Sequence, residues 1–551
     1  AMPFLKREAS DALRASVQAV ENLADECYKG LRLLNRPANE ASWALLTAMA
    51  FQLETWQQRY GADSGKHKVR MVSLDRNPIG FKFIVEHGRP ASRLVQKYTW
   101  SPVLEQAANH ALSVTEQYTS FLGVFPMWHK NHEQVDLLAD GCVRFYLPRD
   151  SPRQRQVIAF QQACRPPGYE FLTPYGGQKK PESELAMRLL AELYYQARPG
   201  GTAKKFRYEP SNALIDALRP KYQERLDENF RRPDSFDLGG YSLGEFKAFY
   251  IALLILCSIH EYICYPFDKP GQPIPVSSLV LIKSRQHWAD ALSRISGVAS
   301  ELCEMMVSDL TLDAASNPGA SMCINPFVPL DSFSLAVAPQ FPLASAVDDN
   351  IIRLFSYKYD AIFSAQNIDK EGAMRSRLRE ALPTFWVDHS IELPDKSGEI
   401  DVLLADEASS TVVLAELKWV RKPNRSLEQI ARDEEITKGV QQLQTIRNYA
   451  RTHPDFLGRK LPKSLRSYAS VHFILIVWDH WYWVEPNDEF AILHFEALIP
   501  ALKKTTNLRL TLENLLKYDW LPVEGRDFRV AYSRASANGA QIESLKFFPL
   551  R

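Results

Sequence analysis

The stretch that decides the reading is GEIDVLLADEASSTVVLAELK, from Gly398 to Lys418. Two runs rich in Val, Ile and Leu, Ile400 to Ala405 and Thr411 to Lys418, flank the polar break Asp406-Glu407-Ala408-Ser409-Ser410. That pattern predicts a β-hairpin. Folding it about Ala408 and Ser409 sets Asp401 opposite Glu416, and Lys418, two residues on, shares the face of Glu416. Two carboxylates and an amine then stand together near the edge of an otherwise apolar hairpin. Leaving such charge buried and unpaired costs on the order of several kcal/mol, so the cluster calls for a partner. A divalent cation is the natural one, and the expected site is a metal-dependent phosphodiesterase site. The plainer alternative is a solvated face on which Glu416 and Lys418 form an ordinary ion pair.

Around this stretch lies a chain of 551 residues, enough for more than one domain and for roughly three on the usual size range. The apolar share of 46% and charged share of 24% fit a soluble protein with sizeable cores. Lys plus Arg at 66 against Asp plus Glu at 65 leaves +1, so a nucleic-acid partner has to be held by a local patch rather than a global field. Seven cysteines, none in a CxxC spacing and none after Cys323, fit reduced thiols in a cytoplasmic protein and supply no zinc framework. The charged start AMPFLKREASDALRASV has no apolar h-region and does not read as a signal peptide. The apolar run Phe249 to Ile259 is too short to span a bilayer and is expected as a buried helix, opened by a capping box of Ser242 and Glu245. No membrane partner is expected.

The chain divides, on composition, into a helical and mixed region over 2–160, a mainly helical region over 161–312, a Pro-, Ser- and Ala-rich connection over 313–345 and a C-terminal unit over 346–551. Helices are expected over 4–62, broken at Asn35-Arg36-Pro37. Strand-like pieces fall at Val69 to Leu74, Gly80 to Val85 and Cys142 to Leu147, with a helix near Val103 to Phe121. His129, His132 and Glu133 invite a metal reading as HxxHE, but without a third strong ligand they read better as surface polar groups. Gly200-Gly201-Thr202-Ala203-Lys204-Lys205 lacks the spacing of a phosphate-binding loop and reads as a turn. In the C-terminal unit the expected order is a helix at 371–381, strands at Phe385 to Leu393, Ile400 to Ala405 and Thr411 to Lys418, a long helix from Ser426 to His453, and an apolar strand from Val471 to Trp478. A helix near Phe495 to Lys504 and a strand near Phe528 to Ser533 follow.

Asp401, the strand run Glu416-Leu417-Lys418 and this α-β-β-β-α-β order resemble the PD-(D/E)xK nuclease superfamily, the restriction-endonuclease-like fold. The likeness covers roughly residues 365 to 480, and Ile400 stands where the motif's proline would be. It does not reach the N-terminal 320 residues; it implies a restriction-endonuclease-like nuclease domain on a mixed central sheet, which with the mostly helical N-terminal region read from the apolar spacing gives an α+β multidomain protein. Glu371, opening the helix before the first strand, sits where many such enzymes place a further glutamate at the metal; its plainer role is an acid favoured by the helix dipole. On the long helix Lys438, Gln442, Thr445 and Tyr449 form one stripe. Gln441-Gln442-Leu443 resembles the glutamine motif of RecB-like members, although Tyr449 lies seven residues on from Gln442 rather than four. Gln442 is therefore a candidate catalytic residue beside Asp401, Glu416 and Lys418.

The chemistry follows from the residue types. Mg²⁺, with Mn²⁺ able to substitute, suits two carboxylates, the Leu417 main-chain carbonyl and waters. Asp401, Glu416 and Leu417 are the expected metal ligands, to which the resemblance adds Glu371, and Lys418 orients water and offsets phosphate charge. Between Lys418 and Arg466 twelve Lys and Arg face five Asp and Glu, a local basic excess. Arg421, Lys422, Arg425 and Lys438 are the expected nucleic-acid contacts. Trp419, Trp478, Trp481 and Trp483 read as packing rather than base-stacking groups, and Asp479 and His480 are set aside. The expected partner is DNA, with RNA or branched repair substrates as the alternative, and with a homo-oligomer or partner subunit reached through the N-terminal region. A nuclease unit beside a large helical region resembles bacterial defence effectors, an association by architecture alone. A scaffold or nucleic-acid-binding protein that keeps the fold without cutting is the reading from another class.

Overall fold

The computed structural model describes residues 11–60, 70–71, 73–75, 78–92, 98–131, 133–147, 155–159, 183–197, 206, 208–230, 232–264, 276–316, 320–345, 347–366, 370–381, 386–420, 426–461, 463–465, 470–478, 490–504 and 507–550. The chain is mixed α/β and divides into two compact units, each built from separated pieces of sequence. The first takes 1–122, 166–366 and 535–541; the second takes 123–165, 367–534 and 542–551.

The first unit is mostly helical. Helix α1 (Ala38–Tyr60) starts directly after the Asn35-Arg36-Pro37 break, where proline's fixed φ suits the approach to a first turn. Helix α2 (Pro102–His129) covers the expected helix and continues into residues of the second unit. Helix α3 (Leu243–Cys264) has the expected capping box: the Ser242 N–H donates to Glu245 Oε2 at 2.7 Å, and the Glu245 N–H donates to Ser242 Oγ at 3.2 Å. At 22 residues it is longer than the apolar run alone predicts, and by length and composition it could cross a bilayer. Being apolar on every side, it is buried throughout, with Phe249, Leu253, Ile255 and Ile259 fully enclosed.

Three expectations are corrected here. The described parts of 70–87 are helical, including Ile79–His87, and not strands at Val69 to Leu74 and Gly80 to Val85. Short apolar runs carry no period of their own, and here Gly80, Phe81, Phe83 and Ile84 pack as one side of a helix. The stretch 313–345 is not a connection: Ser334–Val337 pairs with Leu281–Ser284 on one side and with Val328–Pro329 on the other in a small sheet, and Ser321, Cys323, Phe327, Leu335 and Phe341 are core. Its apolar residues are satisfied by packing, as their share of the stretch suggests, although its Pro and Ser content reads as a connection. The C-terminal unit begins near 367 rather than 346 and takes in 123–165 as well. The six described cysteines are free and buried.

The second unit carries the hairpin. Helix α4 (Lys370–Ala381) precedes strands β1 (Trp386–Glu392), β2 (Glu399–Asp406) and β3 (Thr411–Trp419). Helix α5 (Ser426–Thr452) leads to β4 (Ser470–Trp478) and β5 (Ala491–His494), followed by α6 (Phe495–Lys503) and α7 (Leu508–Leu516). The five strands form one sheet in the order β5-β4-β3-β2-β1; β2 runs antiparallel to both β1 and β3, while β3, β4 and β5 run parallel. One face (Val402, Leu404, Val413, Ala415, Leu417) packs with Met374 and Leu378 of α4 and with Leu498 of α6. On the other, Leu403, Ala405, Val412 and Leu414 pack with Ile446 of α5 and with Phe456 and Leu457. A sheet buried on both faces explains why β2 and β3 read as near-continuous apolar runs. A smaller sheet in the order Gln134–Leu137, Val143–Tyr146, Ala540–Pro549, Phe528–Ala537 includes the strands expected near Cys142 and Phe528.

Candidate active site

The hairpin register is the expected one. Asp406 pairs with Thr411, Leu404 with Val413, and Val402 with Ala415, so Asp401 is opposite Glu416. The turn is held by Asp406, whose Oδ1 accepts the Ala408 N–H at 3.0 Å and whose Oδ2 accepts the Ser409 hydroxyl. The same Oδ2 accepts the N–H of Leu508 at 3.0 Å, tying the first residue of α7 to the hairpin. Ser410 takes the left-handed conformation (φ 49°) that closes the turn.

Pairing between β2 and β3 stops at Val402 and Ala415, although both strands continue, and side chains take over. The Leu417 N–H donates to Asp401 Oδ2 at 2.7 Å. N–H and C=O of one residue in an extended strand project to the same edge, so the Leu417 carbonyl also faces Asp401. Lys418 Nζ donates to Glu416 Oε1 at 2.6 Å. Glu416 is 1% exposed and Asp401 8%, while the Lys418 side chain keeps 19%. Burial pushes the Asp401 carboxyl above the usual carboxylate range; the Leu417 N–H, the Lys418 charge and a hydrogen bond with Glu416 oppose that push, and Glu399 adds to it.

A bare position on α5 completes the wall. A Cβ at Gly439 would lie 3.0 Å from Lys418 Cγ and 3.1 Å from its Cε, and 3.0 Å from Leu475 Cδ1. The lysine stem thus runs across exposed helix backbone. A glycine in mid-helix costs about 1 kcal/mol against alanine, which is the sequence signal that marks Gly439. Asp406 had a weaker one, since Asp at a turn is common whatever else it holds.

The structure therefore brings Asp401, Glu416, Leu417 and Lys418 together. Gln442 and Lys438 are exposed on α5, the helix whose Gly439 lies against the Lys418 stem, and among the described residues no hydrogen bond is seen between them and the carboxylates. Tyr449, on the same stripe, stacks on His453 at 4.2 Å and packs edge-on to Phe456. Glu371 lies in the first turn of α4, its side chain outside the described ones. Arg421, Lys422, Arg425, Asp479, His480, Trp481 and Trp483 lie outside the described residues. Trp419 and Trp478 are 5.8 Å apart, and Trp478 stacks on Phe495 at 4.9 Å, a packed group as expected. Of the HxxHE group, His132 is outside the described residues, and burial pushes the Glu133 carboxyl up to about 8 against the pull of Lys546.

Among the described residues no group of three or more His, Cys, Asp or Glu side chains converges as a metal site. Two hard carboxylates on one face beside a main-chain carbonyl nevertheless fit a hard divalent ion that keeps several waters. Comparison with protein-family models, curated proteins and solved structures returns no match.

Proposed function

We propose that the second unit is a Mg²⁺-dependent endonuclease that hydrolyses DNA phosphodiester bonds, a PD-(D/E)xK-like domain regulated through the first unit as a sensor or oligomerisation surface. The observation that carries the reading is the meeting of Asp401, Glu416 and Lys418 at the end of a hairpin whose backbone pairing has just stopped. The strand order, with antiparallel β1-β2-β3 continuing into parallel β4, agrees with that fold.

In this reading Asp401 and Glu416 hold the metal, with the Leu417 carbonyl and Glu371 as further ligands. The ion supplies an activated water and neutralises the scissile phosphate. Leu417 N–H fixes the Asp401 carboxylate in place, so the donor set is preorganised before substrate arrives. Lys418 contributes a compact charge beside the reacting phosphate, where it orients water and offsets the negative charge that builds in the transition state. The basic residues after β3 hold the backbone of the nucleic acid, a contact that weakens steeply with salt.

The test is incubation of the full chain with Mg²⁺ and supercoiled DNA, beside linear duplex, single-stranded, junction DNA and RNA. Cutting of DNA that is lost in EDTA and in Lys418→Ala or Asp401→Ala supports the reading. Unchanged cutting in both variants removes it, preference for RNA or junctions moves the substrate, and nucleic-acid binding without any cutting favours a scaffold.

A further inference from the structure

We propose that Lys418 has a second role at this site: in the protein without metal its ammonium stands in for the cation on Glu416, held there by the bare surface of Gly439, so that an entering divalent ion must displace it. The inference rests on the metal-site reading above and goes beyond it. Lys418 and Glu416 are two apart on one strand face, close enough to pair. Lys418 Nζ sits 2.6 Å from Oε1 of a side chain only 2% exposed. Asp401 adjoins the pair, so among the described residues the ammonium is a cation that helps make two buried carboxylates tolerable.

The wall that enforces this is specific. Gly439 on α5 lets Lys418 Cγ and Cε lie against helix backbone, with Leu475 closing the other side. An added methyl would meet both lysine carbons and Leu475 at 3.0–3.1 Å, so the lysine stem or the leucine has to give by a few tenths of an ångström. A helix of ordinary residues would crowd the lysine. Metal and ammonium compete for Glu416, and the lysine released by the ion is then placed to meet a phosphate.

The experiment is calorimetric titration of Mn²⁺ into the full chain, for wild type, Lys418→Met and Gly439→Ala, with melting curves in EDTA and in Mn²⁺. Lys418→Met keeps the stem and removes the charge. It is expected to bind Mn²⁺ at least tenfold tighter, to melt lower in EDTA and to gain more from the ion. Gly439→Ala keeps the charge but crowds the stem that seats it, and is expected to tighten binding by less than Lys418→Met does. Both gains should persist at high salt, which screens a general field effect but not direct displacement. Equal affinity in wild type and Gly439→Ala, or gains that vanish with salt, overturns the stand-in role while the metal site survives. Absence of Mn²⁺ binding in the wild type overturns both. If Gly439→Ala fails to fold, the salt-resistant gain in Lys418→Met decides.

Discussion

Leu417 donates its backbone N–H to Asp401 Oδ2 at 2.7 Å, where a backbone partner on β2 would otherwise be expected. This contact separates two roles of Asp401, as acceptor and as charge. Asp401→Asn keeps an oxygen acceptor and removes the charge. It is expected to fold with a melting temperature at or above wild type, to lose Mn²⁺ binding and to lose cleavage by a hundredfold or more. Asp401→Ala also orphans the Leu417 N–H and should cost about 1–3 kcal/mol. Urea unfolding of the pair beside cleavage assays checks the split.

Metal affinity should depend on pH in a definite direction. Burial raises the Asp401 carboxyl above 3.8, so the folded, metal-free protein takes up a proton there that the unfolded chain releases. In the window from 3.8 upward to the raised value, this group's contribution to stability falls as pH rises. An ion must displace that proton, so Mn²⁺ affinity should weaken on lowering the pH into that window. Calorimetry at several pH values, with proton release read from buffers of different ionisation heat, measures both.

Glu54 offers a test in the first unit. It is buried on α1, accepts from Gln58 at 3.0 Å, and burial pushes its carboxyl from 4.5 up to about 7. Its folded value is the higher one, so stability is lost as pH rises from 4.5 through 7. Glu54→Gln is expected to be near neutral at the acid end of that range. Above its upper end the variant should be more stable than wild type by about 3 kcal/mol, an order of magnitude set by the shift. Denaturation profiles at the two extremes decide it.

Asp406 should matter for stability without touching the chemistry. Its carboxylate serves Ala408, Ser409 and the first N–H of α7 at once. Asp406→Ala leaves the turn and the buried N–H of Leu508 without their acceptor, and a loss of about 2–4 kcal/mol is expected from charged hydrogen bonds of this kind. Mn²⁺ affinity should stay near wild type at temperatures where the variant is folded.

The hairpin was legible because its two signals agree. Polar residues mark the turn at 406–410, and period-2 spacing then assigns Asp401, Glu416 and Lys418 to one face. The all-round apolar α3 was legible from its capping box, and the long α5 from its period. Other features are set by distant partners and leave little local trace. Whether 79–87 is helix or strand is decided by what covers it, and 313–345 looks like a linker until Leu281–Ser284 pairs with it. Gln442 is exposed on α5, and a polar stripe on a helix faces solvent or a site with equal ease. Gly439 was readable as an anomaly in mid-helix, though not as the floor beneath a lysine on another element.

The most direct measurement is the anomalous signal of crystals of the full chain soaked in Mn²⁺. The account predicts a peak between Asp401 and Glu416, at about 2.1 Å from an oxygen of each, with Lys418 Nζ moved off Glu416. Crystals in which Mn²⁺ binds elsewhere, or leaves Lys418 seated on Glu416 with no peak beside it, would contradict it.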